Sequence, residues 1–142
     1  MDWLWRALRF RPWDHALFAG LTAPPVIRYF LQRTFGTKAI DEGLFAYDVA
    51  TARQPGARFA PYCFLSAKLF SDDVRRLYEA LRQPVWMTHG VRGDFVDYRQ
   101  KRDFADRPNW RIDVLETGAL PHFERLAELV QRYEAALADL GA

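Results

Sequence analysis

Asp94 and His122 are the two side chains of this 142-residue chain whose types and placement could do acid–base chemistry together. Asp94 stands in VRGDFVDY, directly after the apolar run VWMTHG (85–90). His122 stands in GALPHFER, directly after the alternating run WRIDVLET (110–117). If the two runs are parallel strands joined by a crossover through RQKRDFADRP, their C-terminal ends share one rim of a sheet, where carboxylate and imidazole can meet. The imidazole would take a proton near neutral pH, and the carboxylate would orient it and stabilise its cation. Plainer uses exist for both. An Asp after Gly93 suits a turn whose backbone N–H groups it accepts. A His in the first turn of a helix can simply pack there. Asp97 reads as the cap of a helix starting at Tyr98.

A nucleophile to complete the set is missing. Ser66 sits in Phe64-Leu65-Ser66-Ala67, without the flanking glycines of a sharp strand-to-helix turn, and no Gly-x-Ser-x-Gly stretch occurs. The one cysteine, Cys63, lies among Tyr62, Phe64 and Leu65 and reads as a small buried apolar residue. No Cys/His spacing suggests a metal, and no cofactor is expected. His89, at a strand end, reads as a packed residue. His15, beside Trp13 and Asp14, reads as a surface or half-buried residue; lining a substrate cavity is its other reading.

The elements that would carry these residues fall into two halves. Residues 1–83 read as helical. Pro12 opens a helix running to about Phe35, interrupted at Pro24-Pro25, and Gly36 stops it. A second helix spans 38–54, with Ile40, Leu44, Tyr47 and Ala50 on one face. Ser71 caps another, with Asp72 and Asp73 in its positive first turn and Val74, Leu77, Tyr78 and Leu81 toward the core. The strands follow Pro84. Val85, Trp86 and Met87 lack polar alternation, as in a strand buried on both faces. Trp110, Ile112 and Val114 alternate with Arg111 and Asp113, as in a half-exposed strand near an edge. A final helix carries Leu126, Leu129, Val130, Tyr133, Leu137 and Leu140. A strand buried on both faces needs two neighbours, yet only one other strand is legible. The missing neighbour is expected from another chain, a second copy or a longer parent.

Composition narrows the classes. With half its residues hydrophobic and 15% aromatic, the chain is not a disordered one. Twenty basic against 18 acidic residues give a net charge of +2, no footprint for nucleic acid. No run reaches the length of a membrane span, and MDWLWRALRFRPW lacks the plan of a signal peptide. A cytoplasmic location is expected. Trp3, Trp5, Phe10 and Trp13, interleaved with Arg6, Arg9 and Arg11, are similar to an interfacial amphipathic segment. The preferred reading is a helix packing its aromatics inward, so a membrane partner is not expected.

Residues Pro84 through Glu124 resemble the C-terminal part of the α/β-hydrolase family. His89-Gly90-Val91-Arg92-Gly93-Asp94-Phe95-Val96 matches that family's strand-end and acid loop, with Asp94 on the acid. Thr117-Gly118-Ala119-Leu120-Pro121-His122-Phe123-Glu124 matches the turn that opens its last helix, and the Asp-before-His order agrees. The resemblance implies an α/β class: a partial α/β-hydrolase fold, mostly helical, in which a helical lid precedes two parallel strands with flanking helices. It divides the chain into a lid (cap) region, 1–70, and a strand-helix-strand-helix core part, 71–142. Two departures stand out. Ala119 occupies the place of the family's general base, leaving His122 three residues later, and the elbow and oxyanion-hole segments are absent. The implied function is hydrolysis of an ester-like or other small apolar substrate, by a portion inactive alone and partnered by its missing N-terminal half or a second copy. The alternative is a non-catalytic interaction module or pseudoenzyme associating through its exposed strand edge and lid.

Overall fold

Apolar residues at helical spacing through the first half, and two short β-prone runs after Pro84, become a mixed α/β arrangement that is mostly helical. The fold is that of a computed structural model, which describes residues 2–10, 12–92 and 98–139. The chain divides into two compact units, residues 1–30 with 41–74, and residues 31–40 with 75–142.

In the first unit the helix expected between Pro12 and Phe35 is two helices. α1 (Asp2–Leu8) is followed by α2 (Asp14–Leu21) and α3 (Pro24–Thr34). Thr22 closes α2, its hydroxyl donating to the Phe18 carbonyl at 2.7 Å. Pro24 and Pro25 then begin α3, where a missing N–H costs nothing. The helix expected over 38–54 is shorter, α4 (Glu42–Thr51), because Asp41 takes up an extended backbone and its carboxylate accepts from the Leu44 N–H at 2.6 Å. α5 (Phe59–Leu65) supplies the centre of this unit. Tyr62 is fully buried, its hydroxyl donating to the Asp14 carbonyl at 2.6 Å and its ring edge-on to Phe18. The buried Asp14 carboxylate accepts from Arg58 Nε at 3.1 Å. α5 ends with Ala67 at φ 59°, where the Ala67 and Lys68 N–H groups return to the Phe64 and Cys63 carbonyls. Cys63 is half-buried rather than buried.

The second unit is built on two strands. α6 (Val74–Ala80) leads to β1 (Val85–Gly90); a 3₁₀ turn (Arg99–Lys101) and α7 (Arg102–Ala105) precede β2 (Trp110–Leu115); α8 (Pro121–Glu124) and α9 (Leu126–Asp139) follow. β1 and β2 pair in parallel, from Val85↔Trp110 to Gly90↔Leu115. On one face of the pair Trp110 stacks on Phe104 at 4.6 Å, and Tyr78 lies edge-on to both. On the other face lie Trp86, Arg111 and Asp113, under α9. The Trp86 indole N–H donates to Asp113 at 2.7 Å, Arg111 Nε donates to the same oxygen at 3.1 Å, and Arg132 of α9 approaches the second oxygen at 3.5 Å. Arg111 also pairs with Asp139.

This face corrects one expectation. The polar side of β2 is not turned to water, because Asp113 is 8% exposed within an ion-pair network that satisfies it. Other expected core contacts are missing. Val85 to Thr88 are half-buried, not buried. Val74, Leu77 and Tyr78 of α6 are exposed, and so are Leu126, Val130, Tyr133 and Leu137 of α9, while Ala136 is buried. The physical reason is width: two strands offer too little surface to cover the apolar faces of their flanking helices. Among the described residues no third strand occurs, and no helix is long and apolar enough to cross a membrane.

Candidate functional site

The C-terminal rim of the strand pair is where both sequence candidates were expected. Three chain segments meet there at backbone contact. A Cβ on Gly90 would lie 1.9 Å from the Gly118 carbonyl oxygen, and one on Gly118 would lie 2.2 Å from the Thr34 carbonyl oxygen. Only glycine fits such an approach. Hydrogen bonds hold it shut. Val91 N–H donates to the Leu115 carbonyl (3.0 Å), and Ala119 N–H to the Thr34 carbonyl (2.8 Å). The two oxygens of Glu124 accept from Gly118 N–H at 2.8 Å and Gly36 N–H at 2.9 Å. Arg92 donates to the Phe35 carbonyl at 2.8 Å and the Gln32 carbonyl at 3.3 Å, capping the C-terminal end of α3 with positive charge.

Asp94 and Asp97 lie outside the described residues, in the 93–97 segment that joins Arg92 to Tyr98. His122 is in α8, exposed, its ring against Phe123 with centroids 4.7 Å apart. It makes no hydrogen bond to a described residue. Ala119, where the resemblance to α/β-hydrolases would put a general base, is half-buried and tied to Thr34 through its backbone. The structure therefore brings His122 to no polar partner among the described residues.

His89 is the imidazole that the fold does engage. It is 6% exposed and stacks on Tyr98 with centroids 4.0 Å apart and an interplanar angle of 15°. Nδ1 donates to the Gly90 carbonyl at 2.7 Å, and Nε2 accepts from Lys101 Nζ at 2.8 Å. With a carbonyl at one nitrogen and an ammonium at the other, the ring is the neutral Nδ1–H tautomer and its lone pair is occupied. A ring so placed is structural. Sequence reading placed His89 in the packing but missed Tyr98, Lys101, Arg92 and Glu124. Tyr98 and Lys101, three apart in one helical turn, were the available signal. Arg92 and Glu124 act on backbone groups far away in sequence, and no local pattern announces that.

The first unit holds an open cleft of about 660 Å³, lined by His15, Phe18, Thr22, Arg53 and Arg58 among others. His15 is exposed there, its Nε2 3.7 Å from the Asp14 carboxylate. No serine or cysteine lines the cleft. Ser66 is buried, and its hydroxyl donates to the Tyr62 carbonyl at 2.7 Å. Among the described residues no three His, Cys, Asp or Glu side chains converge as metal ligands would. Comparison with protein-family models, with curated proteins and with solved structures found no match to this chain.

Proposed function

We propose that this chain is the lid and C-terminal sheet segment of an α/β-hydrolase-type hydrolase for an ester-like or other small apolar substrate, catalytically silent by itself. One observation carries the reading. β1 and β2 are adjacent and parallel, so the chain leaves β1 at Gly90, four residues before Asp94, and β2 at Leu115, seven before His122, on the same rim. In that reading Asp94 orients and stabilises an imidazolium, and the nucleophile and oxyanion donors come from a part of the protein not contained in these residues. His122 is the remaining candidate base, and to serve it must leave its present position against Phe123. The test is p-nitrophenyl-ester hydrolysis by the purified chain. No turnover above buffer is expected; turnover abolished by Asp94→Ala would overturn the silent state. The coding DNA upstream of Met1 tests the family itself: a Gly-x-Ser-x-Gly or Gly-x-Asp-x-Gly stretch in any frame supports it, and an unrelated gene removes it.

A second reading is favoured by the free side of β1. The bonds Val85 N–H to Asn109 and Val91 N–H to Leu115 fix the ladder's phase, so odd-numbered residues of β1 face β2. The backbone groups of Trp86 and Thr88 point the other way and meet no partner among the described residues. Such an edge accepts an added strand, which makes the chain an interaction module. Thr88→Pro removes an outward N–H and leaves the β1–β2 ladder bonds in place. It is expected to abolish any self-association or partner capture without lowering the melting temperature by more than a few degrees. Association unchanged by Thr88→Pro would exclude the edge.

A further inference from the structure

We propose that a second copy of this chain fills the free side of β1, by antiparallel pairing of the two β1 strands about a twofold axis at Met87. This rests on the reading of that edge as an interaction surface, and it names the occupant. The outward backbone groups belong to the even-numbered residues. Over 84–90 they are not alike. Pro84 has no N–H to give. Gly90 has its carbonyl already engaged by its own His89 Nδ1 at 2.7 Å. Between them, Trp86 and Thr88 have N–H and C=O free of any partner among the described residues. An axis at Met87 sets Trp86 opposite Thr88 of the second copy, where the two exchange both bonds, and sets Pro84 opposite Gly90. The missing donor thus meets the acceptor that is already occupied. An axis at Thr88 would set Trp86 against the engaged Gly90 carbonyl, and one at Trp86 would set Thr88 against Pro84. The edge is complementary to itself in one register.

The helix above the edge says why the occupant is a copy rather than a lone strand. Arg132 and Asp139 of α9 reach Asp113 and Arg111 of β2, whereas the Tyr133 ring lies 5.5 Å from that of Trp86 in β1. Tyr133 is therefore on the side of α9 that overhangs the free edge. Leu126, Val130 and Leu137 share its stripe, at the three- and four-residue steps of one helix face. All of them are exposed, Leu126 to 59%. The stripe carries no charge of its own, and Glu134 borders it. Apolar side chains in a charge-depleted patch are what the centre of an interface between identical subunits contains. An added strand would satisfy the β1 backbone and leave this stripe in water. A second copy does more. Residues opposite each other in an antiparallel pair share a face, so its α9 comes to the same face of the widened sheet, stripe toward stripe across the axis.

The test is sedimentation equilibrium of the full chain, with cross-linking to fix the register. A concentration-dependent dimer is expected, dissolved by Thr88→Pro. Leu126→Glu should weaken it about tenfold, because it sets a charge in an apolar interface. In a Cys63→Ser background, Met87→Cys should join two copies by a disulfide under mild oxidation, since residues facing each other at the axis lie about 4.5 Å apart at Cα, within disulfide reach. Val85→Cys in the same background should not, because Val85 faces His89 of the second copy. A native chain that stays monomeric at every concentration overturns the proposal and leaves the edge to a different strand. A dimer that Thr88→Pro dissolves, but that folded Met87→Cys does not cross-link, also overturns it, while the edge reading stands. If Thr88→Pro leaves the dimer intact, edge and proposal fall together. None of these readouts involves ester cleavage, so the hydrolase reading stands or falls separately.

Discussion

Tyr62 shows how a single buried group couples the first unit to pH. Burial, with the Asp14 charge adding to it, pushes the phenol up from its ordinary value, against a smaller opposing effect of Arg58. The folded chain thus holds that proton more tightly than the unfolded chain does. Its contribution is complete below about pH 10, the ordinary phenol value, and is lost as pH rises beyond it. Urea midpoints are expected to fall above that pH in the native chain and to fall much less in Tyr62→Phe. At neutral pH Tyr62→Phe should cost about 1 kcal/mol for the hydrogen bond to Asp14. At this scale the sequence was partly legible. Tyr62 and Ser66 were visible as members of an apolar stretch, but their polar atoms act on backbone carbonyls and on a helix 48 residues away in sequence, beyond any local pattern. For His89, a strand-end position foretold packing, whereas the Lys101 contact that fixes its tautomer depends on the crossover's path.

Among the elements, the rim is the least forgiving part of the molecule. Gly118→Ala would push a methyl group into the Thr34 carbonyl and the Gly36 amide, both of them backbone. A destabilisation of about 3 kcal/mol is expected by thermal or urea unfolding, and loss below about 1 kcal/mol would mean that the three segments separate readily. Elements themselves were partly foreseeable: the break at Pro24-Pro25 follows from proline logic, β1 from an unbroken apolar run and β2 from alternation, whereas the helix expected from residue 38 begins only after the Asp41 cap and α6 ends at Ala80, ahead of Pro84. Their burial was not. The alternation of β2 was read as a half-exposed strand, yet Trp86, Arg132 and Arg111 make Asp113 a buried, satisfied carboxylate. Periodicity reports which side chains share a face; it is silent on whether a helix with complementary charges covers that face.

For the whole molecule, the proposed chemistry depends on groups that these residues do not supply. Ala119→His would place an imidazole where the proposed α/β-hydrolase reading puts the base, on a turn already held by Glu124 and Thr34. Hydrolysis of p-nitrophenyl acetate is nevertheless expected to stay at the buffer rate, because a base without a nucleophile and oxyanion donors has nothing to activate. Turnover in that variant would place the nucleophile within this chain. Two strands were legible because only two runs read as strands; the apolar character of β1 called for burial on both faces, whereas Val85 to Thr88 are half-buried and the faces of α6 and α9 exposed.

The bond between Gly36 and Glu124 spans 88 positions of sequence. During synthesis, the end of α3 leaves the ribosome long before its carboxylate partner has been made. Until then the amide of Gly36 has only water to bind, and closing so large a loop is slow. Nascent chains halted short of Glu124 should therefore be cut by protease near Gly36, and chains released beyond α9 should resist.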